Sequence, residues 1–331
     1  MRFNDKARLD TSQVRDQRGG GGSGTGSGGL GSMFGGSSGN QRSGGGLGGL
    51  AKGGGGIGVL VVIGVVIYTL VTGNSGGGAG GLLNQLLAGG NSSNAQADTK
   101  TLQKECTTGA DANTNSDCAL VAIINSVQGY WTDQLAASGT TYQETDSVWF
   151  TGQVSTGCGN ASSSTGPFYC PADQLVYVDL SFFTTLKTDF KANDLIFTQA
   201  YVLAHEYGHH VQNLLGTSNK VGSAAGPESG SVRLELQADC YAGAWANHAT
   251  TVPGADGQIL IADVNQTDIN GALDAAAKIG DDYIQSTLGS GTVDESSFTH
   301  GSSKQREKWF MTGYTTGSPA TCDTFGASNL G

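Results

Sequence analysis

His205-Glu206-Tyr207-Gly208-His209 offers two imidazoles and a carboxylate within five residues. At about 100° per residue on an α-helix, His205 and His209 fall on one strip a turn apart, with Glu206 beside them. This HExxH spacing suits two metal ligands and a proton acceptor for a metal-activated water. Three of the chain's five histidines (His205, His209, His210) lie in this segment. Ala200-Tyr201-Val202-Leu203-Ala204 precedes the pentad and Val211-Gln212-Asn213-Leu214-Leu215 follows it. The predicted helix is therefore apolar nearly all round and buried, with Asn193 or Asp194 as N-cap and Gly216 as terminator. Polar groups in such a helix need partners, because unpaired burial costs several kcal/mol.

A catalytic zinc takes three protein ligands and keeps one position for water. A third ligand is available between Ser229 and Gly243. On a helix whose apolar stripe is Val232, Leu236, Cys240 and Gly243, Glu235 and Asp239 lie in or beside that stripe. Such an acidic pair is costly unless a cation meets it. Glu235 is read as the third metal ligand and Asp239 as the acceptor for the second ring proton of a ligating histidine. The competing account pairs these acids with Arg233 or a lysine. His248, at the polar end of the same helix, is read as a partner for the helix C-terminus. A developing oxyanion needs a donor besides the metal. His300 is the candidate, in a Thr-His-Gly-Ser loop ahead of a helix that Ser302 and Gln305 would cap; a loop histidine bonded to backbone is the other reading. Tyr201, Tyr207, Tyr241 and Tyr314 are unranked alternative donors. His210 lies near Glu206 around the helix and is read as orienting it or as a supporting or surface group.

HEYGHHVQ followed by ELQADCYAGAWA resembles the gluzincin pattern of HExxH followed by ExxxD. Further stretches narrow the resemblance: Met1-Arg2-Phe3, Asp16-Gln17-Arg18-Gly19, Phe168-Tyr169-Cys170-Pro171-Ala172-Asp173, Val176-Tyr177-Val178-Asp179 and Thr299-His300-Gly301-Ser302-Ser303-Lys304-Gln305-Arg306. Together they resemble the bacterial "putative neutral zinc metallopeptidase" family over nearly the whole chain outside its glycine-rich tract. The resemblance implies a zinc peptidase fold, Zn2+ as cofactor and a protein or peptide substrate. It also implies a short basic start, a glycine-rich stretch, one membrane helix and an exported domain. In zincins of this kind an edge strand above the active-site helix holds substrate backbone by strand addition; residues 146–154 or 174–178 are the expected edge.

The elements that must position these groups occupy only part of the 331 residues. Of the 55 glycines, 31 fall in the first ninety residues. Such low-complexity sequence cannot bury enough surface to offset chain entropy. Residues 1–56 are thus expected to form a basic, glycine-rich disordered segment. Residues 57–72 (IGVLVVIGVVIYTLVT) are expected to form a transmembrane helix, and residues 73–100 a linker. A cleaved signal peptide would begin nearer the N-terminus. Before residue 57 stand seven Lys/Arg against three acids, and no Lys/Arg follows until Lys100. The positive-inside rule then places the N-terminus in the cytoplasm and residues 101–331 outside it, in a single-pass cell-membrane protein.

Ten basic and twenty-five acidic residues remain beyond that point, about −15 in all. Such a surface repels phosphate backbones and carries no nucleic-acid motif. All six cysteines lie after the apolar stretch, as suits disulfides in an oxidising compartment. Equal spacings make Cys106–Cys118 and Cys158–Cys170 attractive pairs, leaving Cys240–Cys322, among fifteen possible connectivities. Helices are predicted over residues 117–137, 180–190, 268–288 and 302–314, with short strands at 146–154 and 174–178. The fold expected is α+β: a helix-rich, zincin-like metallopeptidase domain with a short edge sheet, preceded by one transmembrane helix and a disordered tether. The functional expectation is a membrane-anchored zinc peptidase with Glu206 as general base. The alternatives are a catalytically inactive zincin-fold binding module of the cell envelope and, third, a structural zinc protein, against which three ligands rather than four argue.

Overall fold

A computed structural model describes residues 1–18, 100–222 and 225–331. In chain order the elements are β1 (Arg2–Phe3), β2 (Val14–Asp16), α1 (Lys100–Glu105), α2 (Gly109–Ala112), α3 (Ser116–Ala137), β3 (Ser147–Phe150), β4 (Gln153–Thr156), β5 (Gly159–Ser162), β6 (Phe168–Cys170), β7 (Leu175–Asp179), α4 (Ser181–Thr188), α5 (Ile196–Leu214), α6 (Gly230–His248), β8 (Ile261–Asp263), α7 (Gln266–Lys278), α8 (Asp281–Tyr283) and α9 (Ser303–Thr316). The result is the helix-rich α+β arrangement that the alternation of patterns implied. Among the described residues no helix is long and apolar enough to cross a membrane. The apolar run 57–72 and the glycine-rich stretches around it lie outside the described residues.

Helix α5 forms the middle of the domain, with α3, α6 and α7 packed around it. Its residues from Tyr201 to Gln212 are all buried. Neither Asn193 nor Asp194 caps it. Leu195 holds the N-cap position without a side-chain bond, because Asp194 pairs with Lys187 and Asn193 donates its N–H to Asp274. Helix α3 is capped by the Asn115 side chain, which accepts from the Asp117 N–H, and buries Leu120, Val121, Ile124, Val127 and Trp131. The closest crossing joins α6 to α9. A Cβ on Gly243 would stand 2.0 Å from the Phe310 carbonyl oxygen, and one on Gly313 would stand 1.9 Å from that of Cys240. The two backbones touch there, and only glycine on both sides permits it. Where one helix was expected over residues 268–288, α7 ends at Lys278 and α8 restarts at Asp281 before a π-turn over Ile284–Leu288. The break directs the Asp281 carboxylate onto three backbone N–H groups, those of Thr299, His300 and Gly301.

The main sheet has the order β2-β3-β7-β6, with β2, β3 and β7 parallel and β6 antiparallel to β7. Of the segments expected to supply the substrate-binding edge, 146–154 breaks into β3 and the start of β4, which pairs with β5 in a separate sheet, and 174–178 gives β7; β3 and β7 are the two central strands. The edge beside α5 is β6, in register Phe168↔Tyr177. Three residues bounded by Pro167 and Pro171 are too short for any periodicity to show.

Residues 1–18, expected within the disordered lead, are folded. Strand β1 pairs with β8, β2 pairs with β3, and Phe3, Ala7 and Val14 are buried in the main core. The Met1 ammonium sits 2.6 Å from Asp268. Glycine is absent from this stretch until Gly19, so its composition differs from that of the tract that follows. Cys106–Cys118, Cys158–Cys170 and Cys240–Cys322 are disulfides, the pairing that the spacings favoured.

Candidate metal centre

Helices α5 and α6 meet through Gly208, the glycine between the two pentad histidines. A Cβ there would lie 3.2 Å from the Cα of Ala238, so glycine lets α6 approach the face that carries the imidazoles. The Ser229 hydroxyl caps α6 by accepting from the Val232 N–H at 3.2 Å, setting the phase that turns Glu235 and Asp239 toward α5. The Nε2 atoms of His205 and His209 are 3.1 Å apart. Glu235 Oε2 lies 3.1 Å from His205 Nε2, and Glu235 Oε1 lies 3.5 Å from His209 Nε2. Ligands about 2.0–2.1 Å from a tetrahedral zinc stand about 3.3 Å from one another. The donor set therefore fits one such ion, with two nitrogens and one carboxylate supplied by the protein.

Each histidine is held through its other nitrogen. His205 Nδ1–H donates to Asp239 Oδ1 at 2.8 Å. The same carboxylate accepts from the Tyr201 hydroxyl at 2.6 Å and from Arg306 through Nε and Nη2, both at 2.9 Å. His209 Nδ1–H donates to Gln212 Oε1 at 2.8 Å. The Gln212 amide is fixed in turn, since its Nε2 donates to the Leu234 carbonyl and to Gln237 Oε1. Both rings thus present Nε2 lone pairs to the ion.

In the metal-free protein burial disfavours charge on His205, but Asp239 and Glu235 overcome it and push its pKa up to about 10, so metal binding there displaces a proton. Burial also opposes ionisation of Glu235, yet the His209 charge, hydrogen bonds from His205 and His209, and the His300 charge hold its carboxyl well below the usual carboxylate range. Glu206 is shifted the other way. Burial dominates and raises its pKa, against the neighbouring imidazoles and a hydrogen bond from the Tyr169 N–H. Its Oε2 has no partner. A buried carboxylate oxygen left free, one residue from a ligand, is placed to receive a proton.

His205, Glu206, His300, Tyr201 and Arg306 line one cavity of about 30 Å³, together with the apolar side chains of Pro167, Phe182 and Ile284. That space is large enough for a water molecule. His300 Nδ1–H donates to Asp281 Oδ1 at 3.1 Å. Burial works against its charge, and Asp281 and Glu235 more than compensate, so its pKa lies above the ordinary histidine value.

A family model described as "Putative neutral zinc metallopeptidase" matches residues 1–325. The chain belongs to this family. It is 48% identical over 229 residues to an uncharacterised protein of Mycobacterium tuberculosis, covering 69% of this chain and 76% of that one. It is 44% identical over 212 residues to the uncharacterised protein YpfJ of Escherichia coli K12, covering 62% of this chain and 70% of that one. No solved structure matches the chain. The ion of the site is Zn2+, for which the family and the His205, His209 and Glu235 donors agree.

Of the residues singled out by sequence, the structure brings together His205, His209, Glu235, Glu206, Asp239 and His300. Arg233 is not the partner of the α6 acids; it lies toward Glu228 and the Ala327 carbonyl. Among the tyrosines only Tyr201 lines the cavity, while Tyr207 is turned to Ser147. His210 is buried and does not line the cavity, accepting from the Tyr169 hydroxyl at 3.1 Å and donating to the Gln143 carbonyl. His248 donates to the Gly317 carbonyl at 3.0 Å, remote from the ion. Sequence reasoning missed Arg306, Asp281 and Gln212. Arg306 had a signal: it shares the stripe of Trp309, Phe310 and Gly313 on α9, and an arginine on a buried stripe needs an acid opposite.

Proposed function

We propose that this family member is a zinc-dependent peptidase that hydrolyses peptide bonds with Glu206 as general base. The observation that carries the reading is the unpartnered Glu206 Oε2 in the cavity where His205 and His300 also converge. Bound zinc supplies Lewis acidity and a lowered pKa for water at its open position. Glu206 takes a proton from the attacking water and returns it to the leaving amine, a task matched by its raised pKa. His300, kept protonated by Asp281, donates to the developing oxyanion. Strand β6 is the sheet edge beside Glu206, and its Tyr169 N–H is taken by that carboxylate, so an extended substrate adds there as a further strand by displacing that bond. The three disulfides support action outside the cytoplasm. The small volume of the cavity is the one feature favouring the second reading, an inactive groove that binds a partner.

The deciding experiment is cleavage of an unstructured protein with and without chelator. Hydrolysis should stop on zinc removal and return on stoichiometric zinc. Binding of the same protein without cleavage by the zinc-loaded form would reverse the order of the two readings.

Asp281→Asn should change the pH profile of that hydrolysis in one direction. With Asp281 present, His300 carries its proton to above the ordinary value, and activity declines as pH rises through that point. Removing the carboxylate lowers the His300 pKa, since Glu235 alone then opposes burial and the Arg306 charge. The alkaline limb should move to lower pH, with kcat lower by about 10²–10³ where His300 is neutral. An unmoved limb, at unchanged zinc content, would remove His300 from the donor role.

A further inference from the structure

Residues 1–18 precede the apolar run 57–72, yet they are built into the domain that follows it. Strand β2 lies parallel to β3 in register Val14↔Ser147 and Asp16↔Trp149, and the Gln17 N–H donates to the Trp149 carbonyl at 2.7 Å. Asn125, buried midway along α3, gives its whole amide to this segment. Its Oδ1 accepts from the Asp10 N–H at 2.8 Å, and its Nδ2 donates to the Asp10 carbonyl at 2.9 Å and to Gln13 Oε1 at 2.7 Å. Asn113 grips Phe3 in the same two-sided way, at 2.9 and 3.0 Å. Phe3 and Val14 fill the core between these contacts, each about 2% exposed or less. Without this segment two asparagines built to receive it lose their partners, and apolar sockets open to water.

Two of the seven basic residues that suggested a cytoplasmic N-terminus, Arg15 and Arg18, have partners in the domain. Arg15 Nε stands 2.6 Å from Asp146. Arg18 Nη2 stands 2.6 Å from both Asp16 and Asp117, and its guanidinium covers the Trp149 ring at 5.0 Å. Charges that the positive-inside rule counts as signals of orientation here have a structural use. Paired strands lie about 4.8 Å apart, whereas a bilayer core is about 30 Å thick. The β2–β3 pair therefore requires both segments on one side of any membrane. All six cysteines of residues 100–331 are paired, which suits an oxidising compartment.

We infer that residues 1–18 share that oxidising compartment with residues 100–331, docked as an integral strap, and are not left in the cytoplasm. The inference concerns the two flanks of the apolar run and does not depend on the peptidase reading.

The test uses the full chain in a bacterial host. Arg2 and Asp263 are exposed and face each other across the β1–β8 pair, so Arg2→Cys with Asp263→Cys places two thiols at cross-strand distance. A protease site is inserted between residues 19 and 56, free thiols are blocked at lysis, and the cut protein is run without reductant. The N-terminal peptide should stay attached in the double variant alone and come free with reductant. Arg2→Cys by itself should react with a membrane-impermeant maleimide in cells whose cytoplasmic membrane is intact. Release of the peptide without reductant, or labelling only after that membrane is permeabilised, would overturn the inference.

Discussion

Glu206→Gln is expected to lower kcat/KM for peptide hydrolysis by about 10²–10⁴-fold while leaving zinc content unchanged. The side chain is isosteric, and Glu206 is not among the converging donors at the ion, so nothing in the substitution disturbs the ligands. Its buried Oε2 has no partner in the resting protein, and burial already penalises its charge. Glutamine removes that penalty, so the variant should unfold at the same temperature as the parent or a higher one. Loss of activity together with undiminished stability is the pattern of a group kept for chemistry rather than for folding. Zinc analysis, a thermal unfolding curve and a progress curve on an unstructured protein make the measurement. If zinc falls with activity, Glu206 acts through the ligands; if activity persists, the base lies elsewhere.

How far the site was legible depended on whether its signal ran along one helix or between elements. His205, Glu206 and His209 lie within one turn, and Glu235 and Asp239 within another, so helical geometry alone placed each set on a face. The meeting of the two faces was inferable from cost, since neither acidic nor imidazole side chains can be buried unpartnered. Arg306 and Asp281 were harder, because their partners lie 67 and 19 residues away in sequence. Asp281 was hidden further by a helix that breaks in order to use its carboxylate. Strand β6 escaped because three residues cannot show an alternation. Residues 1–18 were misassigned for a different reason: their neighbours from Gly19 onward are glycine-rich, and composition averaged over the lead masked Phe3 and Val14 as core residues. Arginines near an apolar run fitted an orientation rule equally well as they fit the acids of a sheet.

Arg306 sustains the centre electrostatically and should show the largest effect on stability. Burial opposes the charge on Asp239, and Arg306 is the first of the groups that keep it ionised, with His205 next. The pair is fully enclosed, at 3% and 0% side-chain exposure. Arg306→Met leaves a carboxylate in the interior with Tyr201 and His205 alone, and should cost about 3–5 kcal/mol of folding stability. The Asp239 carboxyl then binds a proton more readily and holds His205 less firmly, so zinc affinity should also fall, by about 10–100-fold. Asp239→Asn combined with Arg306→Met separates the two effects. With both charges gone the buried penalty goes too, and much of the stability should return. Zinc affinity should not return, because an amide is a weaker acceptor for the His205 ring proton. Chemical unfolding of the metal-free proteins and competition with a chromophoric chelator measure the two quantities independently. If the double variant regained zinc affinity along with stability, Asp239 would be a packing residue that happens to touch His205, and the orientation of that imidazole would have to come from the helix itself.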